Sequence, residues 1–328
     1  MSYADIMRVV DLWLGAGGRP EVEIGALEPL LWREGQLRIH DVVAGLVSRN
    51  CIVNLTTNGQ LLDLSAEKLK KSGLSLLRTS WHTTNPRMFR ELSGGYGDYK
   101  RFSRGITKAA ELGLTISFNR VLLRGYDDDL SEQLAFIEKY GSRLKLFTLL
   151  WTPTGAASYE QFYQDWRPVI RKYVLPRTLN IERVGAEIGR KRIKFCLNNN
   201  AVVEVKMGDT LNRTHEPCFS CTFKKECEEG FGDYVRIDPR LHLYFCYMRR
   251  DIGFPAQDFF GRPALLLEEL RSTFGEEPAK RVLASSALRL TVSPVCNFNC
   301  RSPGTNEGWC MEEPGDYAYP KIRPTLYA

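Results

Sequence analysis

Residues 288–300 read LRLTVSPVCNFNC, and the pair Trp309-Cys310 follows after a short loop. The quoted stretch places Cys296, Cys300 and Cys310 directly behind a strand-like segment, Leu288–Val292. Three thiolates on one loop can hold three irons of a [4Fe-4S] cluster and leave the fourth iron open to a small molecule. The pattern therefore predicts a catalytic cluster rather than an electron store, close to the C-terminal end of the chain.

The composition favours a soluble enzyme over a membrane or nucleic-acid-binding protein. The chain has 328 residues, 43% of them apolar, and a net charge of +6. No apolar run is long enough to cross a bilayer and no N-terminal stretch reads as a signal peptide, so a cytoplasmic protein is expected. The basic residues are scattered, which fits a solvated face, allows an anionic substrate and does not favour nucleic acid.

Nine cysteines without a secretion signal argue against a disulfide framework. Cys51 lies in an apolar run and is expected to be a buried apolar residue, whereas Cys196 is ambiguous. A second group has the spacing C-x2-C-x5-C with a later fourth cysteine and comprises Cys218, Cys221, Cys227 and Cys246. Taken alone, this group is typical of a zinc site; it equally supplies four thiolates for a closed iron–sulfur cluster.

The first half of the chain alternates strand and helix patterns. Five strands are predicted before residue 175, and Leu288–Val292 makes a sixth, which indicates an α/β fold with a six-stranded partial (β/α)6 barrel. Residues 176–260 form a smaller β-rich, cysteine-bearing module, and residues 261–328 hold one linker helix, the sixth strand and the cysteine loop. Groups that act in parallel barrels gather at the C-terminal strand ends.

In this order and spacing the motifs resemble radical S-adenosylmethionine (SAM) enzymes with a twitch-type auxiliary-cluster module, similar to the GTP 3′,8-cyclase of molybdenum-cofactor synthesis. The resemblance covers nearly the whole chain in circularly permuted order, since the strand and cysteine loop that begin the family's barrel stand here at 288–310. It implies domains at 1–175 (barrel strands 2–6), 176–260 (twitch-like module) and 261–328 (linker helix, barrel strand 1 and catalytic-cluster loop).

The resemblance also implies the site residues. Cys296, Cys300 and Cys310 correspond to the cluster ligands, with a C-x3-C-x9-C spacing where the family has C-x3-C-x2-C. The segments IGALEPLL (24–31), NLTTNG (54–59) and SFNRVLLRGYDDD (117–129) match family motifs. The implied SAM-binding residues are Gly25, Ala26, Glu28, Thr57, Ser80, Asn119 and Trp309.

Departures from the cyclase argue against GTP as the substrate. Arg289 matches an arginine that contacts GTP, but Ser117 and Val22 stand where the cyclase has a lysine and an arginine. A triphosphate needs several cationic contacts, so we do not expect GTP here. Arg289, Arg124 and Asn58 remain the candidate substrate contacts.

We therefore expect an enzyme that cleaves SAM reductively and abstracts a hydrogen from a small-molecule biosynthetic substrate. The implied cofactors are a catalytic [4Fe-4S] cluster, SAM and a second, auxiliary [4Fe-4S] cluster, with an electron donor such as flavodoxin or ferredoxin. A maturase of a ribosomally made peptide is the alternative substrate class. A non-catalytic iron–sulfur or zinc-binding protein is the alternative of another kind.

Overall fold

A computed structural model describes most of the chain. The described residues are 1–25, 27–149, 155–185, 190–211, 216–222, 234–246, 249 and 251–292. The predicted cluster loop, with Cys296, Cys300, Trp309 and Cys310, lies outside these ranges, as do Ala26 and Cys227.

Strands and helices alternate through the first 150 residues, as the sequence pattern predicts. The strands are β1 (Glu21–Gly25), β2 (Arg33–Glu34), β3 (Leu37–Arg38), β4 (Ile52–Thr57), β5 (Leu76–Ser80), β6 (Ile116–Leu122), β7 (Arg143–Thr148), β8 (Asn180–Val184), β9 (Arg190–Cys196), β10 (Val202–Leu211), β11 (Tyr234–Ile237), β12 (His242–Tyr244), β13 (Gly253–Pro255) and β14 (Ala287–Thr291). The helices are α1 (Tyr3–Gly15), α2 (Ile39–Val47), α3 (Leu62–Lys71), α4 (Pro86–Leu92), α5 (Tyr99–Glu111), α6 (Leu130–Tyr140), α7 (Ala156–Phe162), α8 (Trp166–Val169), α9 (Glu216–Phe219), α10 (Pro263–Phe274) and α11 (Glu276–Ser285).

Six of these strands run parallel in the order β14-β1-β4-β5-β6-β7. The last described strand of the chain thus lies beside the first, with Gly25 opposite Thr291. Helices connect the strands that follow one another in sequence, as parallel pairing requires. The expected α/β fold with a large parallel sheet is confirmed.

The strands of residues 176–260 extend this sheet at both sides. Strand β10 pairs in parallel with β7 and continues antiparallel into β9 and β8. Strand β11 pairs in parallel with β14 and continues antiparallel into β12 and β13. The result is one sheet of twelve described strands, in which the eight strands from β11 to β10 run parallel and two antiparallel strands follow at each side.

The two faces of the parallel strands differ in chemistry because successive side chains point to opposite sides. One face carries apolar residues such as Val22, Ile24 and Leu288, all fully buried in the main apolar core together with residues of the helices. Burial of a side chain of this size stabilises the fold by about 1.5–3 kcal/mol. The opposite face, here called the polar face, carries Glu23, Arg78 and other hydrophilic side chains.

The predicted linker helix is divided in the structure. The single helix expected after residue 261 forms α10 and α11, which meet at Gly275 with a φ of 83°. Glycine adopts this φ without the cost that a Cβ imposes, so it ends one helix and starts the next.

Among the described residues, no helix combines the length and the apolarity needed to cross a membrane.

Candidate active site

The predicted SAM-binding residues lie at the ends of neighbouring parallel strands. Gly25 ends β1, Thr57 ends β4, Ser80 ends β5, and Asn119 lies opposite Ser80 on β6. Because the strands are parallel and in register, these four residues share one edge of the sheet, which is where ligands bind in parallel α/β folds. The structure therefore places these four residues, which belong to separate motifs in the sequence, at the same edge of the sheet.

Glu28 ties the ends of two strands together. One carboxylate oxygen accepts hydrogen bonds from the Thr57 hydroxyl at 2.6 Å and the Leu30 amide at 3.0 Å, and the other accepts the Asn58 amide at 2.7 Å. Thr57 Oγ1 in turn accepts the Gly59 amide at 3.1 Å. Burial raises the pKa of Glu28 in spite of these bonds. Glu28 thus positions the backbone after β1 and β4, and both of its oxygens are engaged by the protein itself.

The turn after β1 has an unusual backbone. Leu27 has a φ of 52° and is 57% exposed. A leucine in the left-handed region is held there at a cost in free energy, and such residues cluster at functional sites. A Cβ added to Gly25 would lie only 3.2 Å from Arg289 Nη2. The absence of a side chain at Gly25 therefore leaves room for the Arg289 guanidinium.

Arg289 belongs to a charged cluster on the polar face. It lies opposite Glu23 in the register and 5.7 Å from the centre of the Tyr234 ring. Glu23 accepts a bond from Arg78 and a 2.9 Å bond from Thr56 Oγ1. Burial opposes the ionisation of Glu23, yet Arg78 and Arg289 together lower its pKa below the ordinary value.

A second charged cluster lies on β7 and β10. Lys145 Nζ is 3.4 Å and Arg192 Nε is 3.6 Å from Glu204 Oε1, and the Glu204 side chain is only 2% exposed. Burial lowers the pKa of Lys145 to about 8, against the opposing effect of Glu204. Neither cluster was predicted from the sequence, although single charges flanked by apolar residues, as in Leu144-Lys145-Leu146 and Val203-Glu204-Val205, were a usable signal.

The other two substrate candidates are exposed. Asn58 accepts the Gln60 amide through its side chain at 2.9 Å, and Arg124 donates its own backbone amide to Phe162 at 2.9 Å. Of the three predicted substrate contacts, Arg289 is the one that the structure places within the charged polar face.

Several buried polar atoms of the polar face have no hydrogen-bond partner among the described residues, and the same is true of some atoms on the opposite face of the same strands. Within the described part of the chain, Arg78 Nε, Ser117 Oγ and Asn119 Oδ1 have no partner. An unpaired buried donor or acceptor costs about 1–3 kcal/mol unless a ligand or water satisfies it. An acceptor on Asn119, at the strand edge beside Ser80, fits a cofactor that carries amino or hydroxyl donors, as SAM does.

The buried ion pair between Arg120 and Asp129 stabilises the loop that follows Ser80. Asp129 accepts a 2.7 Å bond from Arg120 Nη2 and further bonds from Thr83 and Thr84, which follow Ser80 closely in the chain. Burial would raise the pKa of Asp129, but Arg120 and the two threonines lower it. Asp129 therefore joins the loop after β5 to β6.

The described cysteines do not by themselves form a metal site. Cys246 is buried, Cys218 and Cys221 are partly exposed, and the Arg249 guanidinium bonds Cys221. Within the described ranges no three His, Cys, Asp or Glu side chains come together as ligands. The fourth member of the predicted set, Cys227, and all three predicted catalytic-cluster ligands, Cys296, Cys300 and Cys310, lie outside those ranges.

Comparisons with known proteins show what the chain is similar to. Residues 1–137 match the Radical SAM superfamily. A probable GTP 3′,8-cyclase of Methanococcus vannielii is 34% identical over 151 residues, which cover 46% of this chain and 49% of that protein. A probable GTP 3′,8-cyclase of Pyrococcus horikoshii is 24% identical over 256 residues, covering 76% of this chain and 75% of that protein.

For the first of these relatives, this chain therefore spans about half of the curated protein's length. A solved structure, SuiB of Streptococcus suis, matches 44% of this chain and 33% of its own at 21% identity with a TM-score of 0.38, which is too low to bear on the assignment. Through residues 1–137, the chain is similar to the radical SAM superfamily, whose members use a [4Fe-4S] cluster and SAM, and over part of its length it is similar to several GTP 3′,8-cyclases.

Proposed function

We propose that this chain is a radical SAM enzyme that cleaves SAM reductively and abstracts a hydrogen from a small-molecule biosynthetic substrate. The observation that carries the proposal is the position of β14. Thr291, the last residue of β14, lies opposite Gly25, the last residue of β1. The chain thus enters the cysteine-bearing segment at the same edge that carries Ser80 and Asn119, as a circularly permuted barrel requires.

In this proposal Cys296, Cys300 and Cys310 hold the catalytic cluster. SAM contacts Gly25, Ala26, Glu28, Thr57, Ser80, Asn119 and Trp309. When bound, cluster and SAM together supply a 5′-deoxyadenosyl radical, while the protein supplies orientation and exclusion of water. Glu28 keeps the ends of β1 and β4 at a constant separation, and the Asn119 carbonyl oxygen offers a buried acceptor.

The same proposal assigns Cys218, Cys221, Cys227 and Cys246 to an auxiliary [4Fe-4S] cluster in a twitch-like module at 176–260. Four thiolates close the coordination of such a cluster and suit electron transfer. Cys218 and Cys221 lie in the segment between β10 and β11, and these two strands extend the sheet at opposite sides. A flavodoxin- or ferredoxin-type protein is the proposed electron donor.

Anaerobic reconstitution with iron and sulfide, followed by reduction in the presence of SAM, tests the catalytic proposal. Wild type is expected to form 5′-deoxyadenosine, measured by liquid chromatography and mass spectrometry, and Cys300→Ala is expected to form none. Cys51→Ala is the matched control, since Cys51 is buried and burial raises the pKa of its thiol. Iron incorporation without any 5′-deoxyadenosine in wild type would refute the enzyme proposal.

Metal analysis of the same preparations tests the auxiliary cluster. We expect about eight irons per chain in wild type and about four in Cys221→Ala, which should still cleave SAM. Stoichiometric zinc in place of the second set of irons would show that Cys218, Cys221, Cys227 and Cys246 form a zinc site instead.

A further inference from the structure

His82 lies at the strand edge that carries the predicted SAM-binding residues. It follows Ser80, the last residue of β5, by two positions. The Trp81 amide donates to the Asn119 carbonyl at 2.9 Å, which keeps this segment beside β6. The Val121 amide of β6 donates to His82 Nδ1 at 3.2 Å. The imidazole is thus held at the ends of β5 and β6, close to Ser80 and Asn119.

The imidazole occupies a place that the backbone fills in a regular sheet. If the parallel pairing of β5 and β6 continued by one more bond, the Val121 amide would donate to the Trp81 carbonyl. That carbonyl instead accepts the Gln133 side-chain amide at 2.8 Å, and His82 Nδ1 takes its place as the acceptor. The geometry of the sheet therefore sets the position of the ring.

The bond from Val121 also fixes the tautomer of His82. Nδ1 accepts this bond and so carries no proton, which means that the neutral ring carries its proton on Nε2. Burial and the nearby Arg120 guanidinium lower the pKa of His82 to about 4, so the ring is neutral at pH 7. Because Nε2 already holds a proton, it cannot accept another. His82 is therefore a neutral hydrogen-bond donor and not a base.

The protein itself does not use this donor. The two ring nitrogens point in diverging directions, so Nε2 points away from the Val121 amide. Nε2 bonds no described residue, and it is not among the buried atoms that lack a partner within the described ranges, so it remains accessible. The nearby Asn119 Oδ1 is a neutral acceptor that is also without a partner there. The strand edge thus offers a ligand one neutral donor and one neutral acceptor.

The neutrality of these groups indicates which part of SAM they suit. The methionyl part carries a carboxylate and an ammonium group, and charged groups form their strongest hydrogen bonds with charged partners. The nucleoside part is uncharged and offers adenine nitrogens and ribose oxygens as acceptors. A neutral N–H beside a neutral amide therefore fits the nucleoside better than the methionyl part.

We propose that His82 binds SAM by donating a hydrogen bond from Nε2 to an acceptor atom of the nucleoside part. The inference rests on the proposed function, because it takes this strand edge as the SAM site. Val121 holds the ring in the orientation that presents Nε2, and Gln133 keeps the Trp81 carbonyl engaged elsewhere. His82 orients the nucleoside and takes no part in proton transfer.

Two substitutions separate the roles of the two ring nitrogens. His82→Asn puts an amide oxygen near the position of Nδ1, so it keeps the bond from Val121 and loses the donor at Nε2. His82→Gln puts an amide nitrogen near the position of Nε2, so it keeps the donor and leaves the Val121 amide without its acceptor. If His82 only completes the sheet, His82→Gln loses stability and neither variant changes its affinity for a ligand.

Isothermal titration calorimetry on the anaerobically reconstituted full chain at pH 7 provides the test. The probes are S-adenosylhomocysteine, which contains the nucleoside, and L-methionine, which does not. His82→Asn should bind S-adenosylhomocysteine about tenfold more weakly than wild type, or about 1.4 kcal/mol, as expected for one lost hydrogen bond. It should bind L-methionine as wild type does. His82→Gln should stay within about threefold of wild type for S-adenosylhomocysteine, because the donor is retained.

His40→Asn is the matched control, since His40 lies in the first turn of α2 with its Nε2 3.7 Å from the Asp41 carboxylate. It should leave the affinity for S-adenosylhomocysteine unchanged. The proposal is overturned if His82→Asn binds this probe as tightly as wild type, if L-methionine binding weakens by the same factor, or if His82→Gln loses as much affinity as His82→Asn.

Nuclear magnetic resonance tests the tautomer independently of any ligand. The chain has four histidines, so a long-range nitrogen–proton correlation spectrum of the histidine-labelled protein is simple, and His82→Asn assigns the signal that disappears. We expect the neutral ring with its proton on Nε2; a proton on Nδ1 overturns the proposal. SAM cleavage is measured on the same samples. If wild type forms 5′-deoxyadenosine, any failure of these tests concerns His82 alone, whereas its absence would contradict the proposed function.

Discussion

The buried pair Arg120–Asp129 offers the clearest test of how the strand edge is held. Asp129→Asn keeps the shape of the side chain and its capacity to accept bonds from Thr83 and Thr84, but removes the charge that faces Arg120. The pair is 2.7 Å apart, and the side chains are 1% and 13% exposed. Breaking a buried pair from one side costs about 3–5 kcal/mol. Because Arg120 keeps its bonds to Gln133 and to the Tyr126 carbonyl, we expect the lower end, about 3 kcal/mol.

Urea unfolding followed by circular dichroism at pH 7 measures this loss. Asp165→Asn is the control, since its partner Arg167 is 3.4 Å away and both side chains are well exposed. An exposed pair of this kind contributes between about 0 and 1 kcal/mol. A loss below about 1 kcal/mol in Asp129→Asn would refute the reasoning, because it would mean that Arg120 does not depend on the carboxylate.

The pH dependence gives a second check on the same variant. The folded-state pKa of Asp129 is lowered, so its contribution is fully present above the unfolded value, about pH 4, and is lost as pH falls through the folded value. The difference in unfolding free energy between wild type and Asp129→Asn should therefore be constant from about pH 5 to 7 and shrink below about pH 4. If the difference in unfolding free energy increases as the pH falls below about 4, the pKa of Asp129 is not lowered in the folded protein.

Two further predictions concern the strand edge and the polar face. Glu28→Ala should lower the unfolding free energy by about 3 kcal/mol or more, because the Thr57 hydroxyl and the amides of Asn58 and Leu30 lose their acceptor, whereas Glu28→Gln should cost less than half of that. Equal losses in both variants, measured by urea unfolding, would contradict this account. The folded-state pKa of Lys145 is lowered to about 8, so wild type should gain stability relative to Lys145→Met as pH rises from about 8 to about 10.4. If the difference in unfolding free energy between wild type and Lys145→Met does not change across that pH range, the pKa of Lys145 is not lowered in the folded protein.

Much of the fold could be predicted because its signals are local. The strand pattern of residues 288–292 predicted the position of β14 (Ala287–Thr291) to within one residue at each end. Helix interruptions were harder to predict. The apolar spacing of 262–283 continues across Gly275, and only the φ of 83° at this glycine shows that the chain changes direction there.

The candidate site was predicted in part. The strand-end motifs around Gly25, Thr57, Ser80 and Asn119 indicated an edge for a cofactor, and the register of the strands brings them together. The charged clusters of the polar face were not predicted. A strand pattern shows that Glu23 and Arg78 occupy faces of a sheet, but not that the faces are the same or that the two side chains meet.

The sequence by itself determined the chemistry available to this protein: two groups of closely spaced cysteines, an alternating α/β pattern and the residues at the strand ends. These features depend only on the spacing of residues along the chain, so they can be recognised without a structure. Only the tertiary structure decided which charges neutralise one another. Partners such as Glu23 and Arg78, or Lys145 and Glu204, are more than fifty residues apart, so their pairing depends on strand order and register in the folded sheet.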